Sequence, residues 1–307
     1  MSYLAALRTF IFWTVLSVPL ALAAAEQGQT QARVQSQTQS EGQTQTQPAP
    51  VQPVIPTGDE IARQCGVKYQ GEDQQSTFTV TLIDKDKNEK KHVYLRIWKD
   101  FKGQDNILNK MLLFTKFPPD AKGVAFMRWA YVPQMDKNAD QWVYLPELRT
   151  IRRVSIRDPG DSFLGSDLTH ADITPRDVNE DEHRLLGIDQ VGALQFYVVE
   201  SIPKEKNPLY SKRIEWFTKT PSWDTCAKVK VEYYDRKGNL LKKQFTKWQR
   251  VNGAWLWDTL IVKNVQTQHT SVFKNTDVKI NTGVPADIFT ERTLRLGANS
   301  IPGISDN

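Results

Sequence analysis

Trp142-Val-Tyr-Leu-Pro-Glu-Leu-Arg-Thr-Ile-Arg-Arg-Val154, followed shortly by Ser162-Phe-Leu-Gly-Ser-Asp-Leu-Thr-His-Ala-Asp-Ile173, is the stretch that decides the fold. Its first half reads as two extended pieces broken at Leu145-Pro146-Glu147, because proline removes a ladder donor and holds its predecessor in extended geometry. The second half reads as a glycine-containing loop entering a short helix over 167–173. Ser166 or Asp167 is placed to cap its amides, and Leu168, Ala171 and Ile173 to pin the turn to a sheet.

Outward from this stretch the hydrophobic pattern has period two. Phe78, Val80 and Leu82 alternate with Thr77, Thr79 and Thr81, and Val93, Leu95 and Ile97 alternate with His92, Tyr94 and Arg96. Such alternation predicts an antiparallel sheet with two distinguishable faces. Further strands are predicted over 109–117, 123–132, 141–145, 148–154, 183–186, 194–201, 212–218, 228–234, 240–250, 254–264 and 269–280. Arg236-Lys-Gly-Asn239 and Asn252-Gly253 punctuate the late strands. Asp84-Lys-Asp-Lys-Asn88 opens like a calcium loop, but Glu89 and Leu95 stand where glycine and glutamate are needed, so it reads as a hairpin turn. Helices are expected only over 59–65, 167–173 and 285–290. About a dozen strands imply a strongly curved sheet or barrel, mainly β. Spacing alone does not separate this from a β-sandwich.

The Trp-x-Tyr-Leu-Pro strand and the Phe-x-Gly-Ser-Asp loop resemble the outer-membrane lipoprotein-sorting protein family, relatives of the periplasmic lipoprotein carrier LolA. The similarity continues through Phe78-Thr-Val-Thr-Leu-Ile83, Arg184-Leu-Leu-Gly187, Phe196-Tyr-Val-Val-Glu-Ser-Ile-Pro203, Val231-Glu-Tyr-Tyr-Asp-Arg-Lys-Gly238 and Phe273-Lys-Asn-Thr-Asp-Val-Lys-Ile-Asn-Thr-Gly283 to Phe289-Thr-Glu-Arg-Thr-Leu294. The resemblance implies an unclosed antiparallel β-barrel capped by short helices, with a hydrophobic cavity between sheet and cap. It implies a carrier that binds a lipid or lipoprotein acyl chain and passes it toward the outer membrane or a transport complex, without a cofactor. The alternative is a non-transporting lipid sensor or adaptor for an inner-membrane lipid exporter. Partners would be the lipid or acylated lipoprotein, an inner-membrane exporter, an outer-membrane acceptor and, transiently, the membrane.

The ends suit that setting. Residues 1–25 carry Arg8, an apolar run from Phe10 to Leu22 and Ala23-Ala-Ala25, the pattern of a cleaved secretory leader, so the expected location is the periplasm. Residues 26–57 form a Gln- and Pro-rich tract with too little apolar surface to offset its ordering entropy, hence a disordered linker. The folded domain is expected over 58–296, opened by the capping box Thr57-Gly-Asp-Glu60, with a flexible tail over 297–307. The formal charge of +5 is modest and argues against nucleic acid as a partner while suiting an anionic membrane surface. Cys65 and Cys226 are the only cysteines; an oxidising compartment permits their pairing, and two buried thiols are the alternative.

Aromatic residues on the predicted strands are the candidates for lining an acyl-chain cavity: Phe114, Phe126, Trp129, Tyr131, Trp142, Tyr144 and Trp216. Ordinary cross-strand packing competes for each. Arg149, Arg152 and Arg153 are candidates for meeting a lipid phosphate or an acidic partner. Burying about fifteen methylenes yields about 12 kcal/mol gross, against an association cost of roughly 4–15 kcal/mol, so an apolar groove can hold a lipid and still release it. Asp167, His170 and Asp172 do not share one helical face, which argues against a metal or catalytic site. Glycine-rich phosphate loops and a nucleophile elbow are absent from the sequence, and an enzyme is the weaker class.

Overall fold

The computed structural model describes residues 55–66, 68–135, 137–154 and 158–304. The expected leader and most of the linker lie outside the described residues. Thirteen strands form one antiparallel sheet: β1 (Asp73–Ile83), β2 (Glu89–Asp100), β3 (Ile107–Phe117), β4 (Ala125–Tyr131), β5 (Asp140–Leu145), β6 (Thr150–Val154), β7 (Asp181–Val191), β8 (Leu194–Pro203), β9 (Lys212–Thr218), β10 (Lys228–Tyr234), β11 (Leu240–Val251), β12 (Ala254–Asn264) and β13 (Thr270–Ile280). Their spatial order is β6-β5-β4-β3-β2-β1-β13-β12-β11-β10-β9-β8-β7. Successive strands are neighbours everywhere except β6 and β7, which are the two edges. The segment joining them must therefore cross from one edge to the other.

That crossing reveals the curvature. The side chain of His170 bonds Gln141 on β5, and two residues later Asp172 bonds Lys242 on β11. In a flat sheet these strands would be seven steps and about 34 Å apart, whereas two residues span at most about 7 Å. The sheet must curl around the connecting loop, which lies inside the curve. The edges β6 and β7 do not pair, so the barrel stays open.

Strand alternation then assigns each residue to a face. Register places Phe78, Val80, Tyr94, Leu113, Phe126, Val143, Leu260, Val262 and Phe273 on the concave face, where they pack with Phe163 and Leu168 of the loop. Ile97, Leu112, Phe114, Ala125 and Met127 point the other way and are covered by the chain after β13, through Val284, Phe289, Leu294, Ala298 and Ile301. Asp73 anchors this cover, its carboxylate accepting from the backbone N–H groups of Thr282, Gly283 and Val284.

At the β7 end, α1 (Gly58–Gly66) buries Ile61 and Cys65 against Tyr197, Val199 and Phe217. Gly58 approaches β7 so closely that a Cβ there would stand 2.5 Å from the carbonyl oxygen of His183. Cys65 and Cys226 form a disulfide with a Cα–Cα distance of 5.1 Å, tying α1 to the β9–β10 connection.

Three local expectations are corrected. No helix forms over 167–173: the Ser166 hydroxyl and the Asp172 carboxylate take nearby backbone donors, and a bridge between Ser162 and Thr169 folds the segment into turns. The helix expected over 285–290 is a 3-10 turn, Ala286–Ile288, and α2 (Glu291–Leu296) starts only after Thr290, whose side chain caps it. Residues 297–304, expected as a flexible tail, are packed, with Ala298, Ile301 and Ile304 buried.

The disulfide closes a loop between residues 161 positions apart. Replacing Cys226 with Ser is expected to cost about 2–5 kcal/mol of stability, read as a lower denaturant midpoint than the oxidised protein. Reductant should shift the wild type alike and leave the variant unmoved.

Candidate functional site

The site is the concave face together with the loop that covers it. Apolar residues from five strands form its floor: Phe78 and Val80 on β1, Leu113 on β3, Phe126 on β4, Leu260 and Val262 on β12 and Phe273 on β13, with Tyr94 of β2 beside them. Phe163 stands edge-on to Phe126 with ring centroids 6.1 Å apart. Leu168 and Phe163 are buried, so the loop's own side chains occupy the space over this floor. Leu164 and Gly165 adopt positive φ, which turns the chain sharply enough to point both side chains inward.

Polar contacts hold the loop down. The Lys242 ammonium donates to Asp172 Oδ2 at 2.5 Å and to the Asp167 carbonyl at 2.7 Å, with Lys242 and Asp172 both 2% exposed. Tyr210 donates to both Asp172 oxygens, and Ser271 donates to Asp167 Oδ2, which also meets His269 Nδ1. Burial, with Asp172 adjacent, pushes the Tyr210 phenol well above its ordinary value. On the other side Arg128 donates to the Thr174 hydroxyl, and His170 meets Gln141. Burial, reinforced by the charge of Arg128, lowers the His170 pKa from its ordinary 6.5 and favours the neutral ring. The side chains of Asp167, His170 and Asp172 thus meet different groups, with Lys242 joining the Asp172 carboxylate to the Asp167 backbone carbonyl, and all three act as ties from loop to sheet.

Of the seven aromatic candidates, only Phe126 stands on the concave floor. Phe114, Trp129, Trp142 and Tyr144 are on the opposite face, beneath the cover after β13, with Trp129 and Trp142 edge-to-face at 5.2 Å. Tyr131 shares that face by alternation and donates to Asp140. Trp216 is also on the outer side, its Nε1–H donating to Asp189 and its ring under the Lys230 ammonium. Arg149, Arg152 and Arg153 are exposed around edge strand β6; Arg153 pairs with Asp140, whereas Arg149 occupies the left-handed end of the β5–β6 turn. Sequence reasoning missed Lys242, Arg96 and Arg128. The available signal was a charged residue at an inward position of a strand, an exception to alternation that is legible once the inward face is known.

A family model described as a protein of unknown function, DUF1329, matches residues 14–176. A second model, described as an uncharacterized protein, matches residues 108–296. No curated protein matches. Among solved structures, a Vibrio parahaemolyticus domain described as an outer membrane lipoprotein-sorting protein domain is 26% identical, with a TM-score of 0.66, over 78% of this chain and 98% of its own. A DUF1329 family protein from Desulfovibrio piger is 25% identical, with a TM-score of 0.67, over 77% of this chain and 97% of its own. A LolA superfamily protein from Nitrosomonas europaea shares the fold at 18% identity and a TM-score of 0.56, over 78% of this chain and all of its own (100%).

Asp172→Ala should destabilise the protein by about 3–5 kcal/mol because it leaves a buried ammonium unpaired. Pairing it with Lys242→Met should recover much of that loss, and a urea double-mutant cycle measures the difference. For His170 the sign follows from its lowered pKa: its contribution to stability is present above about pH 6.5 and is lost as pH falls toward the folded value. Protection factors for amide hydrogen exchange over 158–174, which remove the intrinsic pH dependence of exchange, should therefore be lower at pH 5.5 than at pH 7.5, and His170→Gln should reduce that difference.

Proposed function

This chain belongs to the DUF1329 family and has the LolA-superfamily fold, and from that premise we propose that it is a periplasmic carrier of an acylated lipid or lipoprotein. The observation that supports this reading is an apolar floor shared by several strands and covered by a single loop, whose buried Phe163 and Leu168 lie over it and whose polar groups tie it to the sheet. A loop of this kind can be displaced by a ligand that supplies equivalent apolar contact. The acyl chain would take the place of Phe163 and Leu168 against Phe78, Phe126, Leu260 and Phe273. Burial of one Phe and one Leu is worth about 3–6 kcal/mol, an amount that a long acyl chain exceeds.

Transfer on this reading requires no bond chemistry, only a receiving site of greater net affinity. The chain would take its cargo at the inner membrane, from an exporter or the bilayer, and deliver it to an acceptor on the outer-membrane side. Arg149 and Arg152, exposed by the open edge at β6, offer contact with anionic headgroups during loading. Among the aromatic candidates the proposal gives ligand contact to Phe126. It assigns Phe114, Trp129, Tyr131, Trp142, Tyr144 and Trp216 to packing and surface contacts of the outer face.

Native mass spectrometry of the protein purified from the periplasm without detergent, with released molecules identified by lipid analysis, tests this. The expected result is a stoichiometric acylated ligand whose occupancy falls in Phe126→Ser and is unchanged in Trp216→Ser. A ligand-free mass that persists after incubation with phospholipid vesicles would overturn the carrier reading.

A further inference from the structure

Two arginines on the concave face lack the opposite-charge partner that three buried charges there have among the described residues. Arg213 pairs with Asp181, Glu215 with Lys228, and Lys242 with Asp172. Arg128, on β4, is 4% exposed, yet no carboxylate among the described residues lies within ion-pair distance of it. Its Nη2 donates to the Thr174 hydroxyl at 3.0 Å, and its Nε is buried without any partner. Arg96, on β2, is half-buried, and its Nη1 donates to Gln74 Oε1 at 2.7 Å. Burial lowers both guanidinium pKa values to about 10, with no acidic neighbour to offset it, so both remain charged at neutral pH. A buried charge is ordinarily paired, because desolvation without a counter-charge costs several kcal/mol.

Register shows how the two stand. One row across the concave face runs Ser76, Arg96, Leu113, Phe126, Val143, and the next runs Gln74, Trp98, Met111, Arg128, Gln141. Arg96 and Arg128 therefore flank β3 diagonally, at the margin where the apolar floor of Phe78, Tyr94 and Phe126 gives way to Gln74, Ser76, Gln141 and Asn275. The face is amphiphilic where these rows meet: Arg96 stands in the row of Leu113, Phe126 and Val143, and Arg128 in the adjacent row between Met111 and Gln141.

We propose that Arg96 and Arg128 form an anion seat for the carboxylate or phosphate headgroup of an acyl lipid whose chain lies along the adjoining apolar floor. The proposal rests on the carrier reading and deepens it by naming the ligand class, an anionic amphiphile. A guanidinium presents a planar fork that matches either oxyanion, and the free Nε–H of Arg128 is a donor awaiting an acceptor. The Thr174 hydroxyl of the loop accepts from Arg128, so a headgroup that takes this guanidinium releases a tie of the covering loop. Chain and headgroup thereby act on the same segment.

Titration calorimetry of the full chain with hexadecanoic acid, hexadecyl phosphate, hexadecan-1-ol and inorganic phosphate tests the proposal. The two anionic amphiphiles should bind at least about tenfold more tightly than the alcohol, the scale of a charge-assisted hydrogen bond. Arg96→Gln and Arg128→Gln should abolish that preference while retaining alcohol binding, and Arg128→Lys should keep part of it. The ligand-free thermal midpoint should not fall in the Gln variants, whereas a purely structural role would lower it. Equal binding of acid and alcohol by the wild type would overturn the anion seat and leave the carrier reading standing. Failure of all three amphiphiles would overturn both. Arginine-dependent binding of inorganic phosphate without any amphiphile would make this a free-anion site and overturn the lipid proposal.

Discussion

The hydrogen-bonded pairing of β1 with β13 is the constraint on which the rest of the structure depends. Two runs of consecutive hairpins, β1 to β6 and β7 to β13, are joined in the middle of the sheet by this one ladder. Their free ends, β6 and β7, thereby become opposite edges, although they are adjacent in the chain. The segment between them has to span the opening of the curved sheet, and it does so by lying inside the curve. The covering loop is thus a consequence of topology before it is a matter of side-chain affinity. The same pairing sends the chain after β13 back across β1 and β2, where Asp73 gathers its amides and its apolar residues cover the outer face.

The concave face combines two energetic regimes. Its apolar floor favours whatever apolar surface covers it, loop or ligand, in proportion to area. Its charged groups are sensitive to pairing, since an ammonium or guanidinium in this position stabilises the fold only when its partner is present. Lys242 finds Asp172 on the loop and so reinforces the covered state. Among the described residues Arg96 and Arg128 find neutral acceptors, Gln74 and Thr174. The loop is held by an ion pair on the β11 side and by hydrogen bonds to Arg128 and Gln141 on the β4–β5 side.

The strands were legible because each alternates apolar and polar residues at period two, and those over 212–218, 228–234 and 254–264 fall where they were expected. Pro146 marked the break between β5 and β6, and the Asp84 turn formed as a hairpin with Asp84 accepting from the amides of Asp86 and Asn88. The site was less legible. Alternation separates Phe126 from Trp129 by face but does not say which face is concave, and large aromatic side chains serve equally well beneath an outer cover. The loop over 162–173 carries helix-compatible residues, but Ser166, Asp167 and Asp172 spend their polar groups on nearby amides and on Lys242, His269 and Ser271 across the barrel.

What the sequence by itself determined was therefore local and periodic: the antiparallel strands, most of their turns, a helix opening at Thr57, and a family resemblance carried by motif order. These follow from interactions a few residues apart, which repeat in the chain and can be read there. Only the tertiary structure decided that Cys65 meets Cys226, that six of seven aromatic candidates face outward, and that Lys242, Arg96 and Arg128 face inward. Those outcomes depend on the sense in which the whole sheet curls and on contacts between residues many tens of positions apart, and no local pattern in the chain records either.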